Sequence, residues 1–134
     1  MKNILKFVVL GTLLTALLSA CGGGKTVSYT LITTSEGGQM HYIGSGGDIN
    51  GRTNPTLHAT VGDTVKITLT SGDFVEHDIS LTDFGVASRK VMTQGSSTTI
   101  TFVAEKSGTF SYTCTIPGHS DLGMKGEITV EEKP

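Results

Sequence analysis

The chain has 134 residues, with 10 Lys and Arg against 12 Asp and Glu, for a formal net charge of −2. Scattered, slightly acidic charge leaves no electrostatic footprint for a nucleic-acid partner. The length suits one domain around one hydrophobic core.

Residues 1–20 read as an export signal. Lys2 and Lys6 form a basic start, and an apolar run extends to Leu18. That run is too short and too poorly flanked for a permanent membrane span. It ends in "LSAC", which resembles a bacterial lipobox, cut before Cys21 with that cysteine lipidated. An ordinary cleavable signal followed by an incidental cysteine is the plainer alternative. "GGGK" then follows as a flexible tether. The expected organisation is a signal peptide at 1–20, a lipidated Cys21 and tether at 21–25, and one domain at 26–134. Such a protein is exported and lipid-anchored to the bacterial membrane, facing periplasm or cell exterior. Loss of the signal removes two positive charges and makes the remainder more acidic.

The rest reads as short strands rich in Thr, Val and Ile, divided by Gly- and Asp-containing turns. In chain order, the expected strands are 26–33, a short run at 40–43, a short edge segment in "TLHATV" before a Gly-Asp turn, and 64–70. "HDISLT" at 77–82, a brief strand near Lys90 and Val91, 98–104, 109–114 and 126–132 complete the set. "GSGGDINGRTNP" at 44–55 is loop, and no helix follows its glycines, so it is no phosphate cradle. Seven or eight short strands at this spacing predict an all-β Greek-key sandwich.

Strand parity assigns faces. Val65, Ile67 and Leu69 share the inward face of 64–70, and Ile128 and Val130 that of the last strand. By the same rule Phe110, Tyr112 and Cys114 point inward together. So do His77, Ile79 and Leu81, with Asp78, Ser80 and Thr82 outward.

"CTIPGHSDLGM", at 114–124, places a thiol, an imidazole and a thioether at four-residue separations. With Cys21 committed to lipid, Cys114 is a lone thiol in an oxidising compartment, either deeply buried or committed to chemistry. His77, inward at the start of another strand, is the best candidate for a further ligand. A thiolate and thioether suit Cu(I), and imidazole suits both copper oxidation states. Two His, one Cys and a weak axial Met form the blue-copper arrangement for electron transfer. Plainer roles exist for each residue: a satisfied structural histidine at 77, an inert core thiol at 114, a turn residue at 119, packing at Met124. His41 and His58 sit in no ligand pattern. Met40 and Met92 read as filler. Asp48, Asp73, Asp78 and Asp83 read as turn or face residues.

"EHD" followed by "GTFSYTCTIPGHSDLGM" resembles the cupredoxins, the type 1 blue copper proteins. The spacing of Cys, His and Met is similar to the rusticyanin-like pattern and to cupredoxin domains near copper nitrite reductases. The resemblance covers roughly the whole of 26–134. It implies a cupredoxin-like sandwich holding one copper ion, with His77, Cys114 and His119 as strong ligands and Met124 as the weak axial one. The position after the first His is often Asn in this family, where it helps tie the two ligand loops together. Here it is Asp78, which cannot donate through its side chain when ionised, so a backbone-only tie is expected.

The implied function is electron transfer without enzymatic turnover, since a filled type 1 site has no open position for substrate. His119 would pass the electron through an apolar patch of Pro117, Gly118, Leu122 and Gly123. The partners would be redox proteins (a reductase, oxidase or cytochrome), met by a monomeric domain at the membrane surface. Copper delivery to, or storage for, a periplasmic enzyme is the alternative reading of the same ligands.

Overall fold

The computed structural model describes residues 23–134. The expected signal peptide and Cys21 lie outside the described residues. Nine strands are present among them: β1 (Thr26–Glu36), β2 (Gln39–Ser45), β3 (Leu57–Thr60), β4 (Thr64–Thr70), β5 (Ser80–Leu81), β6 (Val86–Ala87), β7 (Ser97–Val103), β8 (Gly108–Thr113) and β9 (Lys125–Glu131). No helix among these residues is long and apolar enough to cross a membrane.

The strands form two mixed sheets, ordered β2-β1-β4-β7 and β3-β9-β8-β5-β6. β1 and β2 form a hairpin whose turn residues, Gly37 and Gly38, both have positive φ. A two-residue turn that matches strand twist needs that backbone at both positions, and glycine adopts it without steric cost. β1 then runs parallel to β4, and β3 runs parallel to β9. The all-β sandwich expected from the turn spacing is the fold observed.

Period-two alternation built the core. Leu31, Val65, Ile67 and Leu69 of the first sheet are fully buried, as are Leu57, Leu81, Tyr112 and Ile128 of the second. They belong to one hydrophobic cluster. Full burial of each aliphatic side chain of this size is worth about 1.5–3 kcal/mol. Tyr42 of β2 meets Tyr112 of β8 edge-on, with ring centroids 5.4 Å apart. Each buried hydroxyl has a partner: Tyr42 donates to the Asp78 carbonyl at 2.6 Å and Tyr112 to the Pro55 carbonyl at 2.6 Å. These bonds tie both sheets to the connections at one end of the sandwich.

The main departure lies at 77–82. Only Ser80–Leu81 pairs as strand there. His77 instead makes an isolated antiparallel bridge with Val91, each amide donating to the other's carbonyl at 2.8 Å. Val86–Ala87, within a stretch expected to be connection, pairs with β5. The inward assignments of His77, Ile79 and Leu81 hold, since all three are fully buried. The outward assignment of Asp78 does not, because Asp78 is buried as well. Alternation governs regular strand, and the chain at Asp78 is not regular strand.

Candidate metal centre

The segment after β8 folds back on itself through its own backbone. The His119 amide donates to the Ile116 carbonyl at 3.1 Å, and the Leu122 amide to Gly118 at 3.0 Å. The Met124 amide donates to the His119 carbonyl at 3.0 Å, and the Cys114 amide to the Met124 carbonyl at 3.2 Å. Gly118 turns the chain at φ 84°, in the left-handed region that favours glycine. β2 braces this loop from the side: the Met40 amide donates to the Leu122 carbonyl at 3.1 Å. Asn54, at φ 45°, exchanges hydrogen bonds with the Tyr42 backbone and donates from Nδ2 to the Gly123 carbonyl at 2.8 Å. The sequence marks Asn54 only as part of a loop. Asn tolerates positive φ, and that tolerance is the one local signal for it.

The folded loop brings three donors together. His77, Cys114 and His119 each offer a ligand atom, and these atoms lie within 4.8 Å of one another. Cys114 Sγ is 3.6 Å from His119 Nδ1. The two imidazole rings have centroids 5.1 Å apart and are inclined at 56°. All three residues are buried, His119 the least so at 8% exposure. Met124 is fully buried, and its backbone bonds to both Cys114 and His119 close the loop. His41 and His58 lie outside the cluster, although His41 is not remote from the loop: a Cβ on Gly123 would sit 3.4 Å from its ring.

The histidine nitrogens are distinguishable. His77 Nε2 is 3.1 and 3.2 Å from the two oxygens of Asp73. His77 Nδ1 is buried without a hydrogen-bond partner. An orphaned buried nitrogen is costly in a purely structural histidine. Beside a buried thiol and a second imidazole, it has the chemistry of a ligand atom in a soft-to-borderline donor set. The residues therefore fit a copper ion. Asp73 is more than the turn residue expected from the sequence, and nothing in its spacing from His77 marks it out.

Asp78 joins the two ligand segments through its side chain. Its Oδ1 accepts from the Thr115 amide at 2.6 Å, and its Oδ2 accepts from the Thr115 hydroxyl. The expected backbone-only tie is thus corrected. An ionised carboxylate cannot donate, but the opposite loop supplies both donors.

Burial first, and then nearby charge, sets the resting protonation of the cluster. Burial pushes the Cys114 thiol up. Amides of Asp78 and Ile116 oppose that rise, while the Asp78 carboxylate adds to it. Burial, then the neighbouring His77, holds His119 below its ordinary value. Burial also works to raise Asp73, but the Val75 amide, the Ser35 hydroxyl and His77 together hold it below the ordinary carboxylate range. Without metal, the cluster thus favours a neutral His119 and a protonated thiol, and a metal held by Cys114 would require loss of the thiol proton.

Residues 32–131 match the family model described as copper binding proteins, plastocyanin/azurin family. The copper-containing nitrite reductase of Rhizobium meliloti (strain 1021) is 29% identical over 126 residues, covering 81% of this chain and 33% of the relative. The chain therefore spans about a third of that relative's length. Among solved structures, rusticyanin from Thiobacillus ferrooxidans is 25% identical, with a TM-score of 0.58 over 81% of this chain and 79% of that one. The copper nitrite reductase of Nitrosomonas europaea is 26% identical, with a TM-score of 0.58 over 81% of this chain and 42% of that one.

Proposed function

Because the chain belongs to the plastocyanin/azurin family of copper binding proteins, we propose that His77, Cys114, His119 and Met124 hold one copper ion as a type 1 centre and that the protein carries single electrons. The observation that carries this reading is the convergence of two imidazoles and one thiol, all buried, within 4.8 Å. Bound copper supplies a reversible one-electron couple between Cu(II) and Cu(I). The protein's part is to keep the donors still. Cys114 is held at the end of β8, His77 by its bridge to Val91, and the two segments by Asp78 and Thr115. Donors held this firmly rearrange little when the charge on the metal changes. Met124 would supply the fourth, thioether ligand in this reading, supported by its burial and its backbone bonds to the two neighbouring ligands.

The protein is a carrier and not an enzyme. The liganding groups fill a mononuclear centre, and His41 and His58 stand outside it, so nitrite reduction is not carried over from the longer relatives. His119 is the least buried of the three clustered donors, and Pro117, Gly118 and Leu122 beside it are exposed. Small apolar and uncharged groups there suit brief docking to a redox protein such as a reductase, oxidase or cytochrome, in a small interface. A lipid on Cys21 would hold the domain at the exported face of a bacterial membrane, close to such partners.

The test is to add Cu(II) to the purified protein and record its visible spectrum. An intense thiolate-to-copper band is expected, lost in Cys114→Ser. A colourless protein with bound Cu(II) would sink the type 1 reading. Rapid one-electron exchange with a purified redox partner supports transfer. Copper handover to an apo-enzyme, with poor redox cycling, would instead establish delivery.

A further inference from the structure

Asp73 lies on the 71–76 connection, four residues before His77, and its side chain is 17% exposed where that of His77 is fully buried. The connection is fastened at several points. The Ser71 amide donates to the Ser96 carbonyl at 2.8 Å, and the Gly95 amide donates to the Ser71 carbonyl at 2.7 Å. The Gly72 amide donates to Thr33 Oγ1 at 3.1 Å. A Cβ on Gly72 would meet the Thr33 carbonyl oxygen at 2.2 Å, so only glycine permits this approach. The carboxylate itself accepts from the Val75 amide at 3.1 Å. It is therefore aimed by the backbone before it meets the His77 ring.

Both Asp73 oxygens lie at hydrogen-bond distance from His77 Nε2, and the opposite nitrogen is buried and unpartnered. A carboxylate is an acceptor only. It selects the tautomer with a proton on Nε2, which leaves the Nδ1 lone pair free. A carboxylate behind a ligand histidine also makes that ligand more basic, and its negative charge favours the more positive state of a nearby ion.

We propose that Asp73 is a positioning residue for the metal centre: it holds His77 in the Nε2–H tautomer, presents Nδ1 as the ligand atom, and biases bound copper toward the divalent state. The last part rests on the copper reading above, whereas the tautomer does not.

The metal-free protein tests the tautomer directly. Nitrogen-15 NMR of the His77 ring is expected to show a protonated Nε2 and a bare Nδ1, and Asp73→Ala to lose that preference. Observation of Nδ1–H in the wild-type ring would overturn the proposal. In the copper-loaded protein, Asp73→Asn keeps an acceptor for the Val75 amide and the ring but removes the charge. It is expected to lower the ratio of Cu(II) to Cu(I) affinity at least tenfold, an upward shift of at least about 59 mV for one electron. If Asp73 served only to shape its loop, the Asn variant would keep the wild-type potential, and that result would also overturn the proposal. Failure of the wild-type protein to form the visible band counts against the copper reading instead, and the NMR measurement still judges Asp73.

Discussion

Asp78 and Thr115, 37 positions apart in sequence, are joined by two hydrogen bonds, one from the Thr115 amide and one from its hydroxyl. Each residue directly follows a member of the donor cluster, His77 or Cys114. The pair therefore fixes the distance between two donors that sit on separate connections. Thr115→Val leaves one carboxylate oxygen without its hydroxyl donor. It is expected to cost about 1.5–3 kcal/mol, the range for hydrogen bonds to charged groups. Asp78→Asn is expected to cost less, about 1 kcal/mol. The hydroxyl can reverse to accept from the new amide, so both bonds survive with only charge assistance lost. Denaturant unfolding of the metal-free variants measures both, and equal losses would show that the hydroxyl cannot reverse.

Met124 separates packing from ligation. Its side chain is fully buried, so Met124→Ala is expected to destabilise the metal-free protein by about 2–5 kcal/mol. Met124→Leu preserves volume and is expected to cost under about 1.5 kcal/mol. The Leu variant should still bind copper and stay coloured through His77, Cys114 and His119, with a changed potential if the Met124 thioether is the fourth ligand, since a weak fourth ligand tunes it. Potentiometric titration checks this. An unchanged potential in Met124→Leu would make the residue a packing group alone.

His119 has its folded value held below the ordinary 6.5, chiefly by burial and next by His77. The fold thus favours the neutral ring. That contribution is present above the unfolded value and is lost as pH falls through the lower folded value. The denaturation midpoint of the metal-free protein is expected to fall as pH drops below about 6.5, and His119→Gln to flatten that part of the profile. Cys114 has the opposite sign. Its folded value is raised above the ordinary 9.0, first by burial. Its contribution is present below the unfolded value and is lost as pH rises through the folded one. Alkylation of the metal-free thiol near pH 9 is therefore expected to be slow compared with a free cysteine. Bound copper, which holds the thiolate, should reverse the pH dependence of that protection.

Gly126 tests the packing behind the centre. A Cβ there would meet the Tyr112 hydroxyl and ring at 2.2 Å. Tyr112 is fully buried and anchored to the Pro55 carbonyl, so it has little room to yield. Gly126→Ala is expected to cost about 1–3 kcal/mol by overpacking. Thermal unfolding of the metal-free protein measures it. Tyr112→Phe in the same background, freeing the ring from its anchor and removing one clashing atom, should recover part of the loss.

The strand pattern and the donor spacing were legible because both are local. Side chains of a strand alternate with period two, so Val65, Ile67, Leu69, Tyr112 and Cys114 declare their face from their neighbours alone. The four-residue separations in 114–124 likewise name a thiol, an imidazole and a thioether on one short loop, and soft donors imply their metal class. His77 was reachable as the inward histidine beginning another run, and the family resemblance pointed to the same residue.

Asp73, Asp78 and Asn54 were not legible in that way, because their roles depend on partners far along the chain or on irregular backbone. Asp78 is buried where alternation places it outward, since the chain there bridges to Val91 instead of running as regular strand. Its acceptor role exists only because Thr115 arrives opposite it. Asp73 meets His77 through a connection aimed by Thr33, Val75 and Ser96. By itself, then, the sequence determined the period-two core and the kinds of donor atom, both set by covalent order. Only the tertiary structure decided which nitrogen of His77 is free and which carboxylates face the cluster, because hydrogen bonds between distant segments follow from how those segments pack.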